Sequence, residues 1–170
     1  MVRRLAISFM VVAIGGASAW LMTGTAGSAQ APTCFGLKAT IVGSDNADTI
    51  NGTLNADVIV GRGGEDTIRG GFGNDVICGN GGADTLYGDQ GEVLQQQGSD
   101  LISGGQGKDD ITGDGGPDKL RGDGGADRFF TDDGSQAEKV ANSPDHVRGG
   151  DGLDLCFADV LDTIESCSRP

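Results

Sequence analysis

The sequence predicts an all-β chain, a solenoid of short parallel strands with two turn-and-strand units per coil. Three observations predict it. A nine-residue phrase recurs almost without pause from Gly43 to Phe130. Each copy holds one strongly apolar residue at its eighth position. Glycine crowds the first six positions, which reads as turn and leaves only the last three for strand. A fixed period of this kind outranks local propensity.

The clearest copies are GRGGEDTIR (Gly61–Arg69), GGFGNDVIC (Gly70–Cys78), GNGGADTLY (Gly79–Tyr87), GGQGKDDIT (Gly104–Thr112) and GDGGADRFF (Gly122–Phe130). Position eight reads Ile50, Ile59, Ile68, Ile77, Leu86, Ile102, Ile111, Leu120 and Phe129. One apolar residue per phrase cannot bury a core alone, so the copies must stack. Positions seven to nine alternate outward, inward, outward, as a short strand requires. Position four is glycine in most copies, with Asn46 and Asn55 in the first two. Both residue types tolerate positive φ, so position four is expected in the left-handed region. Two phrases then make a coil of about eighteen residues, with two parallel sheets joined by glycine turns.

Position six is always aspartate: Asp48, Asp57, Asp66, Asp75, Asp84, Asp100, Asp109, Asp118 and Asp127. Stacking places Asp48, Asp66, Asp84, Asp109 and Asp127 in one file, and Asp57, Asp75, Asp100 and Asp118 in the other. Like charges only about 4.8 Å apart along a file are destabilising without a counter-ion. Ca²⁺ resolves this, because it takes six to eight oxygens from carboxylates and carbonyls in flexible geometry.

The phrase resembles the RTX (repeats-in-toxin) nonapeptide, G-G-x-G-x-D-x-U-x. The resemblance covers Gly43–Phe130, with a weaker copy, GGDGLDLCF, at Gly149–Phe157. It implies a parallel β-roll, a right-handed β-helix with calcium held between adjacent turns on the same side. Carried over by position, the ligands are the nine aspartates at position six. Turn carbonyls near Gly61, Gly63, Gly70, Gly79, Gly81, Gly104, Gly113, Gly115, Gly122 and Gly124 complete the set. About seven inter-turn sites are expected, since a turn binds best with a neighbour on each side. The first two phrases, with asparagine at position four, are expected to bind more weakly.

The rest of the chain reads as leader, caps and excursions. Residues 1–29 read as a secretory signal: Arg3-Arg4, an apolar Leu5–Met22, then small residues up to Ala29. A retained anchor is the alternative. Residues 30–42 read as an N-terminal cap with Ile41 in register. An insertion near 88–97 should bulge from a turn of the 43–130 roll. Residues 131–170 form an irregular segment followed by a C-terminal cap, in which Val160, Leu161 and Ile164 make an apolar stripe. The four cysteines of an exported chain imply two disulfides. Three pairings are open, and Cys34–Cys78 with Cys156–Cys167 is the favoured one.

Composition narrows the function. The chain has 25 acidic and 12 basic residues and a formal net charge of −13. Such a balance disfavours nucleic acid and anionic lipid, and favours cations. With one histidine a two-histidine zinc site is impossible, and neither H-E-x-x-H nor G-x-S-x-G occurs. Asp145-His146 beside Ser143 is a local coincidence rather than a triad. No enzyme is expected. The first reading is a secreted, extracellular bacterial calcium-binding protein that is unfolded without calcium and folded with it. The alternative is an adhesion, surface or matrix module that uses the stiffened roll as a scaffold. No membrane association is expected once the signal is removed. An ice-binding roll is disfavoured, because positions three and five form no regular outward array.

Overall fold

The computed structural model describes residues 31–89, 98–131, 144–157 and 162–167. The expected leader, most of the insertion, most of the 131–144 excursion, and Val160 and Leu161 lie outside these. Strands, with no helix among the described residues, build a parallel β-roll.

One sheet contains β3 (Ile41–Val42), β5 (Val58–Gly63), β7 (Val76–Gly81), β9 (Leu101–Gln106), β11 (Lys119–Gly124), β13 (His146–Asp151) and β15 (Thr163–Glu165), neighbouring in that order. The other contains β4 (Thr49–Asn51), β6 (Thr67–Gly71), β8 (Thr85–Asp89), β10 (Asp110–Thr112), β12 (Arg128–Phe130) and β14 (Leu155–Phe157). Every pairing within both sheets is parallel, each strand lying on the one a full coil away. The register matches like with like: Ile59 faces Ile77, which faces Ile102, and Ile68 faces Leu86.

The core is the expected single file from each sheet. Ile59, Ile68, Ile77, Leu86, Ile102, Ile111, Phe129 and Val147 are fully buried, and Ile50, Leu120 and Cys156 nearly so. Each such side chain contributes about 1.5–3 kcal/mol relative to exposure. Ile41 and Ile164 pack against the ends of this file.

Three features depart from the sequence reading. Strands of the first sheet run past position nine into the glycine turn, so that Arg62 pairs with Asn80 and Gly63 with Gly81. Position four has positive φ at Gly64, Gly73, Gly82, Gly107, Gly116 and Gly125, but not at Asn46 or Asn55. The outward Val60 and Cys78 are buried, because an antiparallel hairpin of β1 (Thr33–Cys34) and β2 (Leu37–Lys38) lies over them. That hairpin is joined to the roll by a Cys34–Cys78 disulfide, and Cys156–Cys167 closes the C-terminal end.

Insertions leave the ladder intact. Asp75 bonds Asp100 across 25 residues, and Asp118 bonds Asp145 across 27, as Asp57 bonds Asp75 across 18. The other file shows the same lengthening, 25 residues from Asp84 to Asp109 and 27 from Asp127 to Asp154.

Candidate metal centre

Each position-six aspartate is almost completely accounted for by the ladder. Asp84 is representative. Its N–H donates to Oδ1 of Asp109 at 2.8 Å, and its carbonyl accepts the Asp110 N–H at 2.8 Å. Its own Oδ1 accepts the Asp66 N–H at 2.9 Å. Only Oδ2 is left over.

The same link runs through both files. One goes from Asp48 through Asp66, Asp84, Asp109 and Asp127 to Asp154. The other goes from Asp57 through Asp75, Asp100, Asp118 and Asp145 to Asp162. The structure therefore stacks the nine aspartates in the two groups read from the spacing. It adds Asp154, which stands at position six of the weaker copy GGDGLDLCF but is not among the nine expected ligands, and Asp145 and Asp162, which lie outside any full copy of the phrase. The shorter signal for the last two is aspartate followed two residues later by a core residue: Asp145-His146-Val147 restores that spacing in the sequence, and Asp162-Thr163-Ile164 repeats it.

In Asp66, Asp75, Asp84, Asp100, Asp109, Asp118, Asp127 and Asp154 the Oδ2 atom is buried with no hydrogen-bond partner. A buried anionic oxygen without a partner is costly. Its location explains the first position of the phrase. A Cβ on Gly79 would collide with Asp84 Oδ2, and would lie 2.8 Å from the Gly104 carbonyl of the next coil. The same is true of Gly61 against Asp66 Oδ2, with the Gly79 carbonyl 2.9 Å away. Carboxylate and carbonyl oxygens thus converge on one bare glycine, and only glycine leaves that space open.

Those atoms fit a hard cation. All donors are oxygens, and in each turn from Asp66 to Asp127 one carboxylate oxygen has no protein partner. Among the described residues no three His, Cys, Asp or Glu side chains cluster as a metal site. A six-to-eight-coordinate ion therefore also needs main-chain oxygens. The position-one carbonyls of Gly61, Gly70, Gly79, Gly104 and Gly113 face the preceding coil's glycine in this way. The Gly124 carbonyl accepts the Gly107 N–H at 2.8 Å, so it already has one commitment to the ladder.

Burial, more than mutual repulsion, sets the electrostatics. It raises Asp75 to about 7, Asp100 to about 8, Asp109 to about 7, Asp118 to about 10 and Asp127 to about 6. The ladder N–H bond opposes each shift, and like-charged neighbours add to it. Asp66 and Asp84 are raised for the same reasons. The repulsion expected along each file is real but secondary.

The first two phrases are built differently. Ser44 donates to Asp48 Oδ2 through its N–H at 2.6 Å and its hydroxyl at 2.8 Å. Thr53 does the same for Asp57 Oδ2, at 2.8 Å from each donor. Their hydroxyls also accept the N–H of Asn46 and Asn55 two residues on. The Oδ2 that lacks a partner in later turns is satisfied here, and the Asp48 carboxyl is held below its ordinary range by those Ser44 bonds. Position two, not the asparagine at position four, carries the difference.

The fold and this arrangement define a class: a parallel β-roll whose turns hold files of buried carboxylates. A model of the RTX calcium-binding nonapeptide repeat matches four times, at residues 42–77, 60–92, 96–120 and 103–135. Together these matches span more than half of the chain, which therefore belongs to the RTX calcium-binding repeat family. No similar curated protein and no similar solved structure is found.

Proposed function

We propose that the chain is a secreted, extracellular calcium-binding protein whose roll folds and stiffens as calcium binds between its turns. The carrying observation is the leftover Oδ2 in each turn from Asp66 to Asp127. Asp66, Asp75, Asp84, Asp100, Asp109, Asp118 and Asp127 are the principal carboxylate ligands in this reading, with position-one carbonyls beside them. Asp48 and Asp57 contribute less, because their Oδ2 atoms already accept hydrogen bonds from Ser44 and Thr53. Ca²⁺, when bound, supplies the positive charge that the buried carboxylates lack, so binding and folding free energy are one quantity. Extracellular modules of this kind work at roughly 10⁻⁴–10⁻³ M calcium, which suits a chain exported unfolded. The two disulfides agree with an oxidising compartment. The reading assigns no catalytic role to any residue.

Far-ultraviolet circular dichroism of the disulfide-bonded protein during a Ca²⁺ titration, with Mg²⁺ as control, tests this. A cooperative gain of β signal with Ca²⁺ alone is expected. A β spectrum indifferent to EGTA would remove calcium from the folding of this chain.

A further inference from the structure

Position two of the phrase is an outward position in most turns. Arg62, Asn80, Asp114 and Asp123 have positive φ there, of 88°, 75°, 65° and 68°, and all are exposed except Asp114, which is half-buried. Ser44 and Thr53 lack the positive φ and turn inward, each placing a hydroxyl on the aspartate of its own phrase. Asp89, at position two of the phrase begun by Gly88, also lacks the positive φ. It closes β8 and is 2% exposed. It follows the inward route of Ser44 and Thr53, but it brings a carboxylate where they bring a donor.

Its surroundings do not neutralise that charge. Oδ2 accepts the Gly98 N–H at 3.2 Å and the Gly115 N–H also favours the charged form, while Oδ1 is buried with no well-formed hydrogen bond and the Asp114 carboxylate adds a further negative charge nearby. Among the described residues no ion pair reaches it. Gly98 also lies against Asp100: a Cβ there would be 2.9 Å from Asp100 Oδ1. The Asp100 Oδ2 is one of the partnerless oxygens. One turn therefore holds two buried carboxylates, each with an unsatisfied oxygen, and that of Asp100 lies in the Gly88 space against the Gly113 carbonyl. Asp89 also acts electrostatically on Asp75 and Asp118, the coils on either side.

We infer that Asp89 is a calcium ligand outside the repeat's own set, and that with Asp100 it makes this turn the tightest cation site of the chain. The inference rests on the calcium reading above. Two carboxylates balance a divalent ion, where the other position-six turns offer one, and ligand charge count is a principal determinant of Ca²⁺ affinity. A hydroxyl at this position makes a metal unnecessary; a buried carboxylate makes one necessary.

The test is calorimetric Ca²⁺ titration of the full disulfide-bonded chain and its Asp89→Asn, Asp89→Glu and Asp123→Asn variants, with folding followed by circular dichroism. The parent and D123N, which alters an exposed position-two aspartate, should show one site about 10-fold tighter than the rest. D89N should lose that site and need more calcium to fold, while D89E, which keeps the charge, recovers part of it. A D89N isotherm that overlays the parent's overturns the inference and leaves the calcium reading standing. D89N and D89E behaving alike, including a shared failure to fold, also overturns it by making the role structural. A parent that binds no calcium brings down both.

Discussion

Replacing Thr53 by valine separates a hydroxyl-closed turn from a metal-closed one. Valine keeps the shape and removes the donor 2.8 Å from Asp57 Oδ2 and the acceptor 3.1 Å from the Asn55 N–H. Asp57 is only 7% exposed, so water replaces the lost donor poorly. A hydrogen bond to a charged group contributes about 1.5–3 kcal/mol. The Thr53 N–H still serves the same oxygen, which places the loss near the lower end, about 1.5 kcal/mol. For a chain of this length that lowers Tm by roughly 3–6 °C. The assay is a thermal melt in saturating Ca²⁺, paired with the calcium stoichiometry of the same preparation. Tm should fall and the number of bound ions should not change. Loss of one ion in Thr53→Val would refute the reasoning, because it would mean that Asp57 Oδ2 serves a metal and that the hydroxyl supports it. An unchanged Tm would refute it equally.

Asp84→Asn should do the reverse, lowering calcium stoichiometry by one and weakening the loaded roll by about 1–3 kcal/mol; calorimetry and melts in Ca²⁺ check both. Ile77→Ala opens a cavity in a core one residue deep and should cost about 2–5 kcal/mol, read from denaturant melts in Ca²⁺. The raised carboxyl groups set the pH response of the metal-free chain. A carboxyl whose folded pKa lies above its unfolded value favours the folded state fully at pH below the unfolded value, and this contribution is lost as pH rises through the folded value. For Asp75 and Asp109 that loss is centred near 7, and for Asp100 near 8. The β signal in EGTA should therefore be larger at pH 4–5 than at pH 8, and calcium binding at pH 7 should release protons. Equal signals at the two pH values would contradict the burial of these groups.

Much of this was legible in the chain. The eighth residue of the phrase gave the core and its two files, because a single apolar position per unit has nowhere to go except onto its neighbour. The aspartate files followed from the same period. Asp89 was not legible, because its burial depends on a backbone φ that the phrase does not encode. Ser44 and Thr53 stood in plain view, yet small polar residues at a turn carry no fixed meaning until the oxygen they face is known. The hairpin over Val60 and Cys78 was hidden for a related reason: position nine is outward in the repeat, and only the Cys34 link shows that something covers it.

The longer spans from Asp75 to Asp100 and from Asp118 to Asp145 have a consequence for what the scaffold can carry. The ladder joins the same atoms at the same 2.8 Å whether the partners stand 18, 25 or 27 positions apart. Extra chain at such a turn costs only loop closure, about 0.6 kcal/mol per doubling of its length. The two departures, after Asp89 and after Thr131, leave from one edge of the roll two coils apart, roughly 10 Å at strand spacing. That edge behaves as a socket rail: foreign peptides spliced between Asp89 and Gly98, or between Thr131 and Pro144, would be displayed side by side without touching the strands that hold them.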